Sequence, residues 1–372
     1  MRQRGIHLQY SFESDGQRGA DVHNPLFELL LAVEQHGSIR HAASALGASY
    51  RHVWGQLKHW EALLGEPLVS WTQGQPARLT PFALRLLWAE RRARTRLTPH
   101  IEALRAELER VLVDALDGSQ QVLAMYASHD LALPALRELA SAAQGLHIEL
   151  RFAGSLDSLR ALAAGRCLVA GFHVPRLVDG SPLFAAALKP LLKPGRHMLI
   201  GCMRRQQGLI VATGNPLGIA GVSDLARPGL RFVNRQRGSA TRLLMDHLLD
   251  AAGIETAAGP LDRAEDSHVA VAAAVASGLA DAGPGIEAAA RQFGLGFVPL
   301  IEEDYFLVCI KESLEHPAVQ RLREVLTSAA WSDALSALPG YTPLRCGEVL
   351  SLTQALPWWR FRTPKAGLSP RA

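Results

Sequence analysis

Residues 37–65 read GSIRHAASALGASYRHVWGQLKHWEALLG, a stretch that an internal glycine turn at Gly47 divides into two helical pieces. Ser38 is a natural N-cap, and Ile39, Ala42, Ala43 and Leu46 recur at the spacing of one helix face before Gly47. Beyond the tight LGAS turn, Val53, Leu57, Trp60 and Leu64 share a face of a longer helix that Gly65 closes. Upstream, NPLFELLLAVEQHG (24–37) predicts another helix, with Pro25 near its first turn and Gly37 as its stop. Two short helices, a tight turn and a longer amphipathic helix make a helix-turn-helix. The longer helix and its predecessor offer Ser49, Tyr50, Arg51, His52, Lys58 and Arg40, a set of hydroxyls, rings and cations suited to phosphates and base edges.

Charge distribution agrees. The whole chain of 372 residues carries a formal charge of only +4, yet Arg40–Arg96 holds nine basic and three acidic residues. A basic block beside a nearly neutral remainder points to a polyanionic partner for that block. The hydrophobic share of 48% and charged share of 20% describe a globular chain of more than one domain. Cys167, Cys202, Cys309 and Cys346 are scattered, which predicts buried, reduced thiols rather than a disulfide framework or zinc site. No signal peptide or membrane-length apolar run is present, so a cytoplasmic location with no membrane partner is expected.

After the helix-turn-helix, LVSWTQGQPARLT (68–80) reads as a two-stranded wing with a Gly-Gln-Pro turn, and IHLQYSF (6–12) alternates as an added strand. The segment 37–69 followed by ARLTPFALRLL (77–87) resembles the winged helix-turn-helix of ModE-type molybdate regulators, and more loosely that of LysR-type regulators. Ser49 and Tyr50 followed by Trp54 carry the ModE likeness. The resemblance covers about residues 5–115 and implies double-stranded DNA as partner. It also implies subunit pairing through the helix after the wing. That helix, predicted over 81–116 with a break near Pro99, carries Leu97, Ile101, Leu104, Leu108, Val111 and Leu112. A homodimer or higher assembly and a palindromic operator follow as expectations.

Past DGSQ (117–120), a plausible linker, the pattern changes to alternating strands and helices: QVLAMYAS, DLALPALRELASAA, LHIELRFAG, SLDSLRALAAG and CLVAGFHV. Such alternation predicts a parallel α/β sheet, with ligands beyond the carboxyl ends of its strands. Those ends carry Ser128 and His129, then Ser155, then Phe172 and His173. A second α/β lobe contains FVNRQRGSATRLLMDHLL (232–249), where Gly238 permits close backbone approach and Ser239 or Thr241 caps a helix. Its helix N-terminus and the cations Arg235, Arg237 and Arg242 favour an anion. His268, at the mouth of a later helix, and Tyr305, in the closing strand YFLVCI, complete the candidate site. Read from residues alone, the cleft binds a small anion through hydroxyls and backbone N–H groups, with no metal ligand set.

Segments 154–174, 231–249, 267–300 and 302–309 resemble the periplasmic-binding-protein-like domain that is also fused to MoeA-type molybdopterin-biosynthesis proteins. Ala240 and Pro284 depart from the expected pattern. That likeness implies molybdate, tungstate or a molybdenum-cofactor-related species as effector, with no cofactor. The combined expectation is an N-terminal winged helix-turn-helix, mainly α, with a long linker helix and a two-lobed α/β periplasmic-binding-protein-like domain. The boundaries are 1–20 for an N-terminal strand and flexible segment, 21–80 for DNA binding and 81–117 for dimerisation. Residues 121–350 form the ligand domain and 351–372 a C-terminal tail. No G-x-S-x-G, Walker loop or paired metal motif is present, so a ligand-responsive regulator is expected rather than an enzyme. The alternatives are the same architecture with an organic effector, or an enzyme of molybdenum-cofactor metabolism.

Overall fold

The computed structural model describes residues 24–71, 76–116, 121–177, 182–254, 264–356 and 358–359. The wing tip, the 117–120 linker, the N-terminal alternating strand and the last thirteen residues, all read from sequence above, lie outside that range. The chain divides between Thr98 and Pro99 into two compact units.

In the first unit, helices α1 (Pro25–His36), α2 (Ile39–Ala45) and α3 (Tyr50–Leu64) precede strands β1 (Val69–Ser70) and β2 (Arg78–Leu79), which pair antiparallel. Ser38 caps α2 as the sequence predicts, and Asn24 and Ser49 cap α1 and α3: the three side chains accept from the backbone N–H groups of His41, Leu26 and His52. Gly47, at φ +62°, takes the left-handed conformation that lets α2 turn into α3 within a few residues. Leu30, Val33, Ile39, Ala42, Val53, Leu57, Leu68 and Leu87 form the buried core.

Helix α4 (Pro81–Leu116) crosses the division between the units. The predicted break near Pro99 is absent. The helix runs on through residue 99, and the hydroxyls of Thr95 and Thr98 donate back to the carbonyls of Arg92 and Arg94 just before it. On this helix Leu97, Leu104 and Val111 are 38%, 48% and 63% exposed, and they lie seven residues apart.

The second unit opens with β3 (Gln121–Ala127), α5 (Leu133–Gln144), β4 (Leu146–Phe152), α6 (Ser155–Ala163), β5 (Val169–Pro175) and α7 (Pro182–Leu188). Next come β6 (His197–Val211), β7 (Asn234–Arg235), α8 (Ala240–Ala251), β8 (Ala264–Glu265), α9 (His268–Ala276), β9 (Ala282–Ile286) and α10 (Glu287–Gln292). The unit finishes with β10 (Gly296–Ile310), α11 (Pro317–Thr327), α12 (Ala329–Ser336), β11 (Tyr341–Pro343), β12 (Val349–Leu350) and α13 (Leu352–Ala355).

Strands β3, β4 and β5 are parallel, as their alternation with helices predicts. The sheet as a whole is mixed, which corrects the all-parallel expectation. Its order is β11-β6-β10-β5-β3-β4, with β9 and β12 also on β6. Strands β6 and β10 are each 15 residues long and pair antiparallel along most of their length, so both lobes share them. In the second lobe β7 runs parallel to β8, and Phe232 bridges in parallel to Ala282 at the start of β9. Phe172 and His173 lie inside β5 rather than beyond its end. The C-terminal segment packs on the body through Leu352, Leu356 and Trp359, whereas Trp358 is half-buried. Among the described residues, no helix is long and apolar enough to cross a membrane.

Candidate functional site

The first candidate surface is the exposed side of α3. The cap engages the Ser49 hydroxyl, while Tyr50, Arg51, His52 and Arg40 point outward; Tyr50 is 48% exposed. Among the described residues no ion pair holds Arg40 or Arg51. Lys58 is different. Its Nζ donates to Glu61 at 2.6 Å and sits 4.7 Å above the Trp54 ring, so much of its charge is answered within the unit. The other oxygen of Glu61 accepts from the N–H groups of Leu68 and Val69, which ties β1 to α3. Burial alone would raise the Glu61 pKa; hydrogen bonds from Lys58, Leu68 and Val69 outweigh it and hold the carboxyl below its ordinary value. Tyr50 stacks on Trp54 at 6.3 Å, and Trp54 meets Trp71 of the wing edge-on at 6.4 Å.

The second candidate surface is built where strand ends from both lobes adjoin. Register pairs Ala127 with Phe152 and with Gly171, which brings Ser128, the start of α6 and the middle of β5 to one edge. In the other lobe β7 and β8 end together at Arg235 and Glu265, so the 236–239 turn and the start of α9 adjoin. Gly238, at φ +87°, closes that turn. A Cβ added to Gly154 would lie only 2.9 Å from the Gly238 carbonyl oxygen, so the two backbones approach because Gly154 carries no side chain there, whereas Gly238 is needed for its φ.

The predicted residues separate into three groups. Ser128, Tyr305 and Ser239 are satisfied internally. The Ser128 hydroxyl lies 3.2 Å from His173 Nδ1 and 3.4 Å from the Tyr305 hydroxyl, which itself donates to the Ser128 carbonyl. Ser239 caps α8 and donates to the Gln236 carbonyl. Arg237 and Gly238 stand exposed at the mouth. The remaining five, His129, Ser155, Arg235, Thr241 and His268, each leave a polar side-chain atom buried without a protein partner. For Arg235 that atom is Nη1; Nε and Nη2 donate to the carbonyls of Glu265 and Asp266. An uncompensated buried donor of this kind is costly unless something else satisfies it.

His173, a strand-end candidate from the sequence, places Nε2 3.8 Å from Glu303. Three contributors escaped the candidate set: Arg205, Asp130 and Glu303, all fully buried. Arg205 donates to Glu303 at 3.0 and 3.1 Å and to Asp130, which also accepts from the Tyr341 hydroxyl at 2.9 Å. The opposed runs MRRQ (203–206) and EED (302–304) were the available signal, because they face each other across β6 and β10.

Electrostatics follow from this burial. Desolvation, followed by the charges of Arg235 and Arg205, pushes the His129 pKa down to about 3. The same desolvation, with the same two arginines, holds His173 and His268 well below their ordinary value. All three rings are neutral near pH 7. Burial and the neighbouring Arg205 lower Arg235 to about 10, which leaves it charged. Burial raises Glu303 despite Arg205. The centre thus combines one charge-bearing, under-satisfied arginine with hydroxyls and neutral imidazoles, which is the chemistry of an anion receptor. Among the described residues, no group of three His, Cys, Asp or Glu side chains is placed to hold a metal ion.

A cavity of 340 Å3 adjoins this edge; Ser155, His173, Ser239, Arg237, Arg242 and Asp246 line it together with the apolar Phe184, Leu188 and Leu243. A larger one, 460 Å3, lies beside Pro175 and Phe306. Its charges already answer each other, Arg176 with Glu302 and Arg204 with Asp304, each at 2.7 Å.

Residues 136–327 match the family model of the PBP superfamily domain. Residues 26–84 match that of the bacterial regulatory helix-turn-helix proteins of the lysR family. The chain is 34% identical over 237 residues to the uncharacterized protein YvgK of Bacillus subtilis, spanning 63% of this chain and 75% of that one. It is 35% identical over 86 residues to an uncharacterized Clostridium pasteurianum protein from the 5′ region of a 2Fe-2S ferredoxin gene, covering 23% of this chain and 76% of that protein. Among solved structures it is similar to the Corynebacterium glutamicum OxyR C206 mutant, with 17% identity, a TM-score of 0.43 and coverage of 84% of this chain and 93% of that one. The LysR family regulator CbnR is similar at 19% identity, with a TM-score of 0.39 and coverage of 81% and 98%. The chain belongs to the PBP superfamily, and its residues 26–84 form a helix-turn-helix of the lysR-family regulatory type.

Proposed function

We propose that the chain is a ligand-responsive transcriptional regulator that senses a small oxyanion, molybdate or tungstate first, in the cleft where Arg235, Ser155 and Thr241 meet His129 and His268. The observation that carries the reading is the set of buried donors left without protein partners on both lobes. An anion there would complete the hydrogen bonds of both lobes at once and favour their closed arrangement. Differential affinity for that arrangement is what biases DNA binding. The resemblance to ModE-type and MoeA-associated domains selects molybdate and tungstate. The apolar residues lining the adjoining cavity favour an organic anion as the second reading. Calorimetric titration with molybdate, tungstate and sulfate tests the first. Micromolar or tighter binding of a metal oxyanion, at least tenfold weaker in Arg235→Gln, is expected; heat from none of the three returns the site to the organic reading.

On the DNA side, Tyr50, Arg51, His52 and Arg40 face the groove, with Ser49 positioning the helix and Lys58 contributing less than its charge suggests. The exposed seven-residue repeat of Leu97, Leu104 and Val111 supports a homodimer and hence a palindromic operator. Arg51→Ala is expected to weaken binding to a random duplex and to reduce its log–log salt slope by about 1. Fluorescence anisotropy across a potassium chloride series reads both. An unchanged slope would remove Arg51 from the phosphate contacts.

A further inference from the structure

Two of the four free cysteines come together in the fold although 144 positions separate them in the chain. Strand β6 carries a bulge: its register steps from Met203 with Tyr305 to Gly201 with Phe306 and leaves Cys202 as the extra residue. Beside the bulge the chain returns from β11 as the loop 344–348, and Gly201 bridges in parallel to Cys346. The loop comes this close because residue 201 is glycine; a Cβ there would run into the carbonyls of Leu344 and Arg345. Three hydrogen bonds seat it. The Gly201 N–H donates to Glu348 at 3.0 Å, the Gly347 N–H donates to Gly201 at 2.9 Å, and Arg323 Nε donates to the Gly347 carbonyl at 3.0 Å. Arg345 pays for the tight path with a left-handed φ of +45°.

This seating sets Cys346 against Cys202. The Cys346 thiol donates to the Cys202 carbonyl at 2.7 Å, and both side chains join the same hydrophobic cluster. Cys167 belongs to a different one. Cys202 is fully buried and Cys346 only half-buried, so a solute meets Cys346 first. Burial raises both thiols above their ordinary value, and the pair rests protonated and reduced.

We propose that Cys202 and Cys346 are an oxidisable pair, which a hydroperoxide converts to a disulfide that straps the 344–348 loop to β6. The Cys346 sulfur, as thiolate, attacks one peroxide oxygen. The O–O bond breaks, the leaving alkoxide or hydroxide takes up the proton that the thiol gave up, and Cys346 becomes a sulfenic acid. The Cys202 sulfur then attacks the Cys346 sulfur; the S–O bond breaks, and hydroxide leaves as water with the Cys202 proton. Two thiols lose two electrons in all, and the peroxide gains them. The strap bears on the buried ionic cluster, because β11 leads straight into the loop and Tyr341 of β11 donates to Asp130 at 2.9 Å. It gives the ligand-binding unit a redox input whatever its ligand is.

The test treats the folded full chain at pH 8 with a small excess of hydrogen peroxide, alkylates the remaining thiols in denaturant and maps the peptides without reductant. One linked peptide pair joining Cys202 to Cys346 is expected, two hydrogens lighter than its parts and separated by dithiothreitol, with Cys167 and Cys309 recovered alkylated. Closing so long a loop should raise the melting temperature by about 5 °C, reversibly with reductant. Cys346→Ser retains a donor for the Cys202 carbonyl, so it should melt like the reduced parent and show no rise with peroxide. Recovery of Cys202 as an alkylated thiol from the peroxide-treated folded protein overturns the proposal. So does a linkage that forms only in denaturant, or a peroxide-dependent rise that persists in Cys346→Ser.

Discussion

Replacing Arg205 by methionine is expected to destabilise the ligand-binding unit by about 3–5 kcal/mol, the usual result of removing one partner from a buried ionic cluster. Arg205, Asp130 and Glu303 are all inaccessible to solvent. Methionine fills much the same volume but strands two carboxylates that share one region of β6 and β10. Nearby Arg235, whose Nε and Nη2 are fixed on the carbonyls of Glu265 and Asp266, reaches Glu303 through its charge and not through a hydrogen bond. The melting temperature should fall by roughly 6–20 °C. The pH dependence has a definite sign. In the variant the folded state binds a proton at Glu303 more readily than the unfolded chain does, so the deficit relative to the parent shrinks as pH falls. The deficit is thus greatest near pH 8 and shrinks toward pH 5. Combining Arg205→Met with Asp130→Asn and Glu303→Gln should recover most of the loss. Denaturant titrations of the three proteins at both pH values measure this. A single variant as stable as the parent would mean that the buried Arg205 cluster does not hold this unit together.

The parent protein should itself be acid-labile, losing about 4 kcal/mol between pH 7.5 and 5.5. His129, His173 and His268 are fully buried, and their folded pKa values lie well below the unfolded value near 6.5. For a group whose pKa folding depresses, stability is complete above the unfolded value and is lost as pH falls through it. Each ring contributes about 1.4 kcal/mol per pH unit once the unfolded histidine is protonated, and three act together. Glu303, raised by burial, works in the opposite sense and trims the total. Chemical denaturation at the two pH values measures the slope, and His129→Gln with His268→Gln should remove about two thirds of it. A flat profile from pH 7.5 to 5.5 in the parent would contradict neutral, buried imidazoles.

Much of the first unit was readable because its signals are local. Ser38 caps a helix within a few residues of itself, Gly47 makes the turn, and Val53 and Leu57 keep a helical period. The Lys58–Glu61 pair was equally local, three residues apart on one helix, yet charge counting treated Lys58 as free. In the second unit the strand-to-helix junctions were visible, so Ser155, Ser239 and His268 emerged at helix starts. Two things were not visible. Pairing of β6 with β10 joins residues about a hundred apart, and alternation of strands with helices argues for parallel neighbours wherever it is applied. The distinction between engaged hydroxyls, as in Ser128 and Ser239, and unengaged ones, as in Ser155 and Thr241, depends on tertiary neighbours that no spacing encodes.

The shared strands β6 and β10 also constrain how this domain can be inherited. Each runs through both lobes and is laddered to the other along most of its length. A recombination event that exchanged one lobe for a foreign one would have to cut both strands and restore two registers, including the Arg205–Glu303 pairing, in the same step. Lobes built this way do not shuffle as modules. New ligand preferences in this lineage would arise by substitution at strand ends and cavity walls, within a domain transmitted whole.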